Sequence, residues 1–309
     1  MEKPLKISVV SPVYKAENIV DKLCSRISEE VKKITSDYEI ILVDDGSPDS
    51  SWSNISSNCL ENNKIIGLKL SKNFGQHYAI SAGLEIAKGD FIIILDCDLQ
   101  DDPKYFKNLI NKIKEGNDIV FTKKRSRKHS FFKNVSASIF YYLFNFLVSN
   151  QKATRDIGTY SIITKKVLIE YNKINDFHRH YLMILRTLGF KQDYIFVEHN
   201  SRFEGESSYT LSKLIKHASF GITSQSDKLL KTSIISGFIL SILSLIWVLT
   251  LIFIYFKNGL QPGYTSLMAV IALSTGLILI SIGICGIYIG KIFEQVKQKP
   301  LYIIEKRIN

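Results

Sequence analysis

Two long stretches without charge constrain this chain more than any other feature. Between Lys231 and Lys257 lie 25 uncharged residues, and between Lys257 and Lys291 lie 33 more. A bilayer core takes about 20 predominantly apolar residues per helix, so each stretch is long enough for one span. Spans are expected at 233–256 and 267–289, in a hairpin covering 229–290 whose loop holds Pro262-Gly263. This excludes a simple soluble enzyme. At 46% hydrophobic residues a disordered chain is excluded too. The four cysteines, Cys24, Cys59, Cys97 and Cys285, form no CxxC and no zinc-like spacing with histidine. They read as buried free thiols in a reducing compartment.

Lys and Arg number 40 against 29 Asp and Glu, a net charge of +11. Its placement is informative. Lys228 and Lys231 precede the first span; Lys291, Lys297, Lys299, Lys306 and Arg307 follow the second. The loop carries only Lys257. Positive residues mark the cytoplasmic side, so a multi-pass protein of the cell membrane is expected, with both termini cytoplasmic. Lys3 and Lys6 run directly into the short apolar stretch 7–10, which is no signal peptide. Residues 1–228 are therefore expected as a cytoplasmic domain and 291–309 as a basic cytoplasmic tail.

Within the first domain, short apolar β-branched runs at 6–11, 39–43, 64–70, 91–95 and 118–122 alternate with helical patterns such as 16–34 and 76–87. That alternation predicts an α/β, Rossmann-like domain with a parallel sheet covered on both faces. Ligands bind such sheets beyond the carboxyl ends of the strands. The residues there are Pro12 and Tyr14, then Asp44-Asp45-Gly46-Ser47, then Asn73-Phe74-Gly75, then Asp96-Cys97-Asp98.

Asp96 and Asp98, one residue apart at a strand end, can converge on one hard cation, and Gln100 can add a carbonyl oxygen. Mg²⁺ typically takes one or two carboxylates and completes its shell with water and substrate phosphates. The alternative is a solvated acidic turn. Asp44 and Asp45 can accept hydrogen bonds from a base or ribose; Asp-Gly-Ser-Pro is equally good turn chemistry. Arg202, Gly205 and Ser207 lie on a polar stretch that can close over phosphates, or merely connect two elements. Lys123, Lys124, Arg125, Arg127, Lys128 and Lys133 form a basic run, either a solvated face or a site for anionic lipid heads. The aromatic stretch at 129–149 fits an interfacial amphipathic helix or a core helix, and 208–227 fits a helix leading to the membrane.

Together and in this order, these pieces resemble the family 2 glycosyltransferases, and within them the polyprenyl-phosphate glycosyltransferases. That group includes dolichol-phosphate mannose synthases and bactoprenol glucosyltransferases. The resemblance is carried by Ser11-Pro-Val-Tyr14, Val43-Asp-Asp-Gly-Ser47, Asn73-Phe-Gly75, Gly89-Asp90, Asp96-Cys-Asp-Leu-Gln-Asp101 with Pro103, Arg155-Asp-Ile-Gly158, and 202–207. It implies a GT-A-type nucleotide-sugar-binding domain with interfacial helices, followed by the two spans. It places Pro12, Tyr14 and Asp45 on the nucleotide, with Glu17 standing one place later than the acid of relatives. Asp96, Asp98 and Gln100 would hold Mg²⁺ or Mn²⁺, with Asp98 and Asp156 as catalytic candidates. Lys124, Arg125 and Lys133 would receive a lipid phosphate, and Arg202 and Ser207 would sit near the diphosphate. Ser208 and Ser161 stand where relatives often carry Lys and Arg.

The implied reaction is inverting, metal-dependent transfer of a sugar, glucose from UDP-glucose being the commonest in the subgroup, to a polyprenyl phosphate at the cytoplasmic membrane face. The implied partners are a nucleotide sugar, the polyprenyl phosphate and the lipid bilayer; a homo-oligomer is left open. The nearest alternative is a processive or other membrane-bound family 2 enzyme with a saccharide acceptor. Processive enzymes carry Gln-x-x-Arg-Trp, and neither Trp52 nor Trp247 stands in that setting. A non-enzymatic scaffold would not need both Asp96 and Asp98. No nucleic-acid partner is expected, given the two spans and the acidic strand ends.

Overall fold

The structure, a computed structural model, describes residues 5–124, 157–177, 179–198, 228–258 and 263–309. It divides into two units, the sheet domain and the apolar helices.

The sheet domain begins with β1 (Ile7–Val13), α1 (Val20–Lys32), β2 (Tyr38–Asp44), α2 (Ser51–Glu61), β3 (Ile65–Leu70), α3 (Gln76–Ile86) and β4 (Phe91–Ile94). A 3₁₀ turn at Pro103–Tyr105 leads into α4 (Phe106–Lys114) and β5 (Ile119–Lys124). Then follow β6 (Ile157–Thr164), α5 (Lys165–Lys173), α6 (Tyr181–Thr187) and β7 (Gln192–Val197). β8 (Ile304–Ile308) completes one eight-stranded sheet, ordered β7-β5-β6-β4-β1-β2-β3-β8.

The helices form because apolar residues recur at three- and four-residue spacing. In α1 these are Val20, Leu23, Cys24, Ile27 and Val31, all buried. Helices α1, α2 and α4 cover one face of the sheet, and α3, α5 and α6 cover the other. With both faces covered, β1 and β2 are buried at every position, as expected of central strands in a two-sided sheet.

The sheet is mixed, not parallel as the alternation predicted. β6 runs antiparallel to both β4 and β5, and β8 antiparallel to β3. The direction of a strand leaves no mark on its apolar pattern; it is set by the connection, which the pattern does not reveal. Strands β1 to β5 and β7 still point one way, so their carboxyl ends share an edge.

The second unit contains α7 (Lys228–Asn258) and α8 (Tyr264–Val296). Both are long and apolar enough to cross a membrane, over Leu230–Ile254 and Leu273–Val296. Large side chains such as Phe238, Trp247, Leu273 and Ile289 stay exposed, the pattern of helices apolar all round. Ser233 and Ser281 join the two helices by a hydroxyl pair at 3.1 Å.

The segment 291–309 is not a tail. Its first residues continue α8 to Val296, and 304–308 form β8. The domain expected to end at 228 therefore also includes β8. Ser71 N donates to Ile303 O at 2.9 Å, Lys69 pairs with Glu305 at 3.1 Å, and Tyr302 bonds Glu85. The Asn309 amide donates to Cys59 O and Ile65 O at 3.0 and 2.8 Å. The wholly charged run 305–307 hid this strand, yet charge is what an edge strand shows to water.

Candidate active site

The shared carboxyl edge gathers the residues the sequence singled out. Pro12 is buried within β1 opposite Val43, and Tyr14 just beyond it is 42% exposed. Lys15 takes a left-handed φ of +52°, and its amide donates to Ser47 Oγ at 3.2 Å. Such a backbone is costly for a residue with a Cβ and is characteristic of functional turns.

Glu17 lies on the same loop after β1, beside Pro48 and Asp49. Its Oε2 accepts from Ser50 N at 3.0 Å, where α2 begins. A carboxylate at a helix start satisfies unpaired amides and faces the positive end of the dipole. This contact ties Glu17 to the loop that follows β2.

Asp44 and Asp45 are buried at the end of β2. Asp44 Oδ1 accepts from Ser47 N at 3.2 Å. Asp45 accepts from Phe74 N at 2.8 Å and Gly75 N at 2.9 Å, one bond to each oxygen. Burial raises both acids above the ordinary carboxylate value, and these bonds oppose the rise. Gly46 makes the turn possible. Its φ is +63°, and a Cβ there would stand 2.4 Å from the carbonyl carbon of Lys72.

The loop that Asp45 fixes leads straight into α3, whose first residue, Gln76, donates to Asp96 Oδ1 at 2.7 Å. Thr159, early in β6, donates to the same oxygen at 2.8 Å. Asp98 Oδ1 accepts from Gln100 N at 3.1 Å, across Leu99 with φ +54°. Behind this turn, Asp102 holds Arg26 at 3.1 Å and its carbonyl receives Tyr160 OH. Gln76 and Thr159 were not singled out from sequence. Only the antiparallel placement of β6 and the loop before α3 bring them to Asp96.

The acidic pair suits a hard divalent ion. The donors are carboxylate oxygens, and one of them is oriented by two neutral donors, as ligating carboxylates are. Among the described residues no three His, Cys, Asp or Glu side chains cluster as a complete cage. An ion here would complete its shell with phosphate and water, the usual habit of Mg²⁺.

Lys124 closes β5 in register with Val197 of β7, at the same edge of the sheet. Arg125, Lys133, Asp156, Arg202 and Ser207 lie outside the described residues, as do the helices expected at 129–149 and 208–227.

The pattern of the family described as "Glycosyl transferase family 2" matches residues 8–171, the stretch that builds this edge. An undecaprenyl-phosphate 4-deoxy-4-formamido-L-arabinose transferase of Aeromonas hydrophila is 32% identical, over 97% of this chain and 93% of its own. YkcC of Bacillus subtilis, an uncharacterized glycosyltransferase, is 30% identical over 99% and 95%. Among solved structures, glucosyl-3-phosphoglycerate synthase from Mycobacterium tuberculosis, in complex with Mn²⁺, UDP and phosphoglyceric acid, has a TM-score of 0.50. It is 15% identical, covering 71% of this chain and 76% of its own, and shares the fold alone. With the strand-end acids in place and more than half its length matched, the chain belongs to glycosyltransferase family 2.

Proposed function

We propose that the protein transfers a sugar from a nucleotide diphosphate to undecaprenyl phosphate at the cytoplasmic face of the cell membrane, with UDP-glucose as donor. The observation that carries this reading is the full-length similarity to undecaprenyl-phosphate transferases, which takes in the two apolar helices as well as the sheet domain. β8 joins the residues that follow α8 to the sheet domain, which supports the cytoplasmic placing of both termini read from the basic flanks.

In this reading Asp45, Pro12 and Tyr14 form the nucleotide side of the site. Asp96, Asp98 and Gln100 hold Mg²⁺ or Mn²⁺. When bound, that ion neutralises charge on the leaving diphosphate. Gln76 and Thr159 keep the Asp96 carboxylate turned toward it. Lys124, Arg125 and Lys133 receive the acceptor phosphate, with Arg202 and Ser207 beside the donor diphosphate.

A phosphate monoester has its second pKa near about 6, so the acceptor is already largely a dianion at cytoplasmic pH. Its oxygen attacks the anomeric carbon in line; the bond from that carbon to the diphosphate oxygen breaks, and the electron pair leaves with UDP. The anomeric configuration inverts. No proton needs removing from the nucleophile, so the protein's work is positioning and charge compensation. Asp156 then serves the sugar hydroxyls or the approach of the acceptor.

The test is transfer by membranes containing the full chain, supplied with undecaprenyl phosphate and a panel of labelled nucleotide sugars including UDP-glucose. Label in the lipid phase that depends on Mg²⁺ or Mn²⁺ is expected. No labelled lipid with any donor, or label growing only on a soluble saccharide, overturns the reading.

A further inference from the structure

The edge of the sheet farthest from β8 is unusual. β7 pairs only with β5 among the described strands. On one face Ile195 joins the core, and Asp193 is ion-paired with Lys112 at 3.1 Å. On the other face, Gln192 Nε2 donates to Leu185 O of α6 at 3.2 Å. α6 has only seven residues, roughly 10 Å at about 1.5 Å per residue, against about 20 Å for a six-residue strand. Among the described residues nothing covers the far half of that face, at the carboxyl end that also bears the candidate active site.

Two aromatic rings occupy the uncovered half. Tyr194 is 46% and Phe196 52% exposed, and they meet edge to face with centroids 5.4 Å apart. Lys123, in register with Phe196, lies with its Nζ 5.2 Å from the Tyr194 centroid and 5.9 Å from that of Phe196. Edge strands commonly show charge here as protection against pairing. This one shows an amphipathic tyrosine and an apolar phenylalanine beneath a cation, a combination suited to a membrane–water interface. Lys124, Arg125, Arg127 and Lys128 follow in sequence, with Glu198 the nearest acid along β7's own continuation.

We propose that Tyr194, Phe196 and Lys123 form a docking patch for an anionic lipid surface, seating the sheet domain against the headgroups. The inference rests on the membrane association proposed above. The occupant is a bilayer because the rings supply an apolar tip while the ammonium of Lys123 over them complements anionic heads. Its effect is to fix the height of the carboxyl edge above the lipid phosphates.

The test uses the full chain in nanodiscs containing phosphatidylglycerol and brominated lipids, which quench tryptophan on contact. With Trp52 changed to Phe, Trp247 in α7 reports whether the apolar helices are in the bilayer. With Trp52 and Trp247 both changed to Phe, Phe196→Trp reports the patch, and Tyr194→Trp replaces it if that variant does not fold. Strong quenching of Trp247, with quenching at the patch greater for shallow than for deep bromines, is the expected result. Adding Lys123→Glu lowers patch quenching in anionic discs and leaves it unchanged in neutral ones. Quenched Trp247 with an unquenched patch overturns the proposal and leaves membrane anchoring standing; an unquenched patch that is nevertheless blue-shifted and sensitive to dilution identifies a second copy as the occupant and overturns it equally. If neither tryptophan is quenched, the anchoring itself fails.

Discussion

Asp45 and Asp96 are joined through three consecutive residues. Asp45 binds the amides of Phe74 and Gly75, and the next side chain, Gln76, donates to Asp96. The acid assigned to the nucleotide and the acid assigned to the metal thus share one connecting segment, Phe74-Gly75-Gln76.

Thr159 completes the hold on Asp96 from the opposite direction. Thr159→Val removes the 2.8 Å bond while keeping the shape. Loss of such a supporting contact costs about 10–100-fold in metal affinity or activity. The transfer rate, titrated against Mn²⁺, should need correspondingly more metal for half-saturation, and Asp96→Ala should lose more at every concentration. An unchanged titration would show that Thr159 does not position the acid.

Gly46 and Gly189 separate strain from crowding. Both have positive φ, +63° and +71°. A Cβ at Gly189 meets nothing within 4 Å, whereas at Gly46 it meets backbone of Lys72 and Asn73 at 2.4–2.8 Å. Gly189→Ala is expected to cost about 1–2 kcal/mol, the left-handed penalty alone. Gly46→Ala is expected to cost more and to weaken donor binding, because it pushes on the loop that Asp45 holds. Thermal unfolding of both variants in detergent, beside the donor KM, checks the order.

Asp44 gives a pH signature. Burial raises Asp44 and Asp45 above 3.8, so between that value and the raised ones the folded state holds more protons than the unfolded. Unfolding free energy from these two groups therefore falls as pH rises through that window. Asp44→Asn keeps an acceptor for Ser47 but removes one titrating group, so this falling contribution should shrink. Its amide, newly buried, lowers absolute stability as well, so the diagnostic is the slope as pH rises from 3.8, read by urea unfolding. Equal slopes in variant and parent would count against the assignment.

β8 can be tested against its own ion pair. Glu305→Gln removes the half-exposed partner of Lys69, a contact of about 0–1 kcal/mol, and should leave Tm nearly unchanged. Asn309→Ala removes two bonds to backbone carbonyls and should cost about 1–3 kcal/mol. Deleting 302–309 bares the outer edge of β3, and aggregation on gentle heating is expected. Light scattering during the melt distinguishes the three.

Legibility in the sequence followed the range of the interactions. β1 to β5 announce themselves by local periodicity, within a residue or two of their ends, and so does α3; the pattern at 16–34 overruns α1 by four residues at its start. Asp96 and Asp98 were found because a strand end is itself a local signal. Gln76 and Thr159 were not, because each reaches Asp96 across the fold, and a lone Gln or Thr carries no chemistry until placed. The direction of β6 and the existence of β8 depend on connections longer than any window of periodicity.

That last strand also sets an order of assembly. The partners of β3 along its outer edge are separated from it by more than two hundred residues, including both apolar helices. Until residues 304–308 have been made, β3 offers bare amides and carbonyls to any passing strand. A contact of such long sequence range forms late. The sheet is therefore sealed only after the apolar helices have been synthesised, and a chain that stalls among them is left with an open edge that marks it as unfinished.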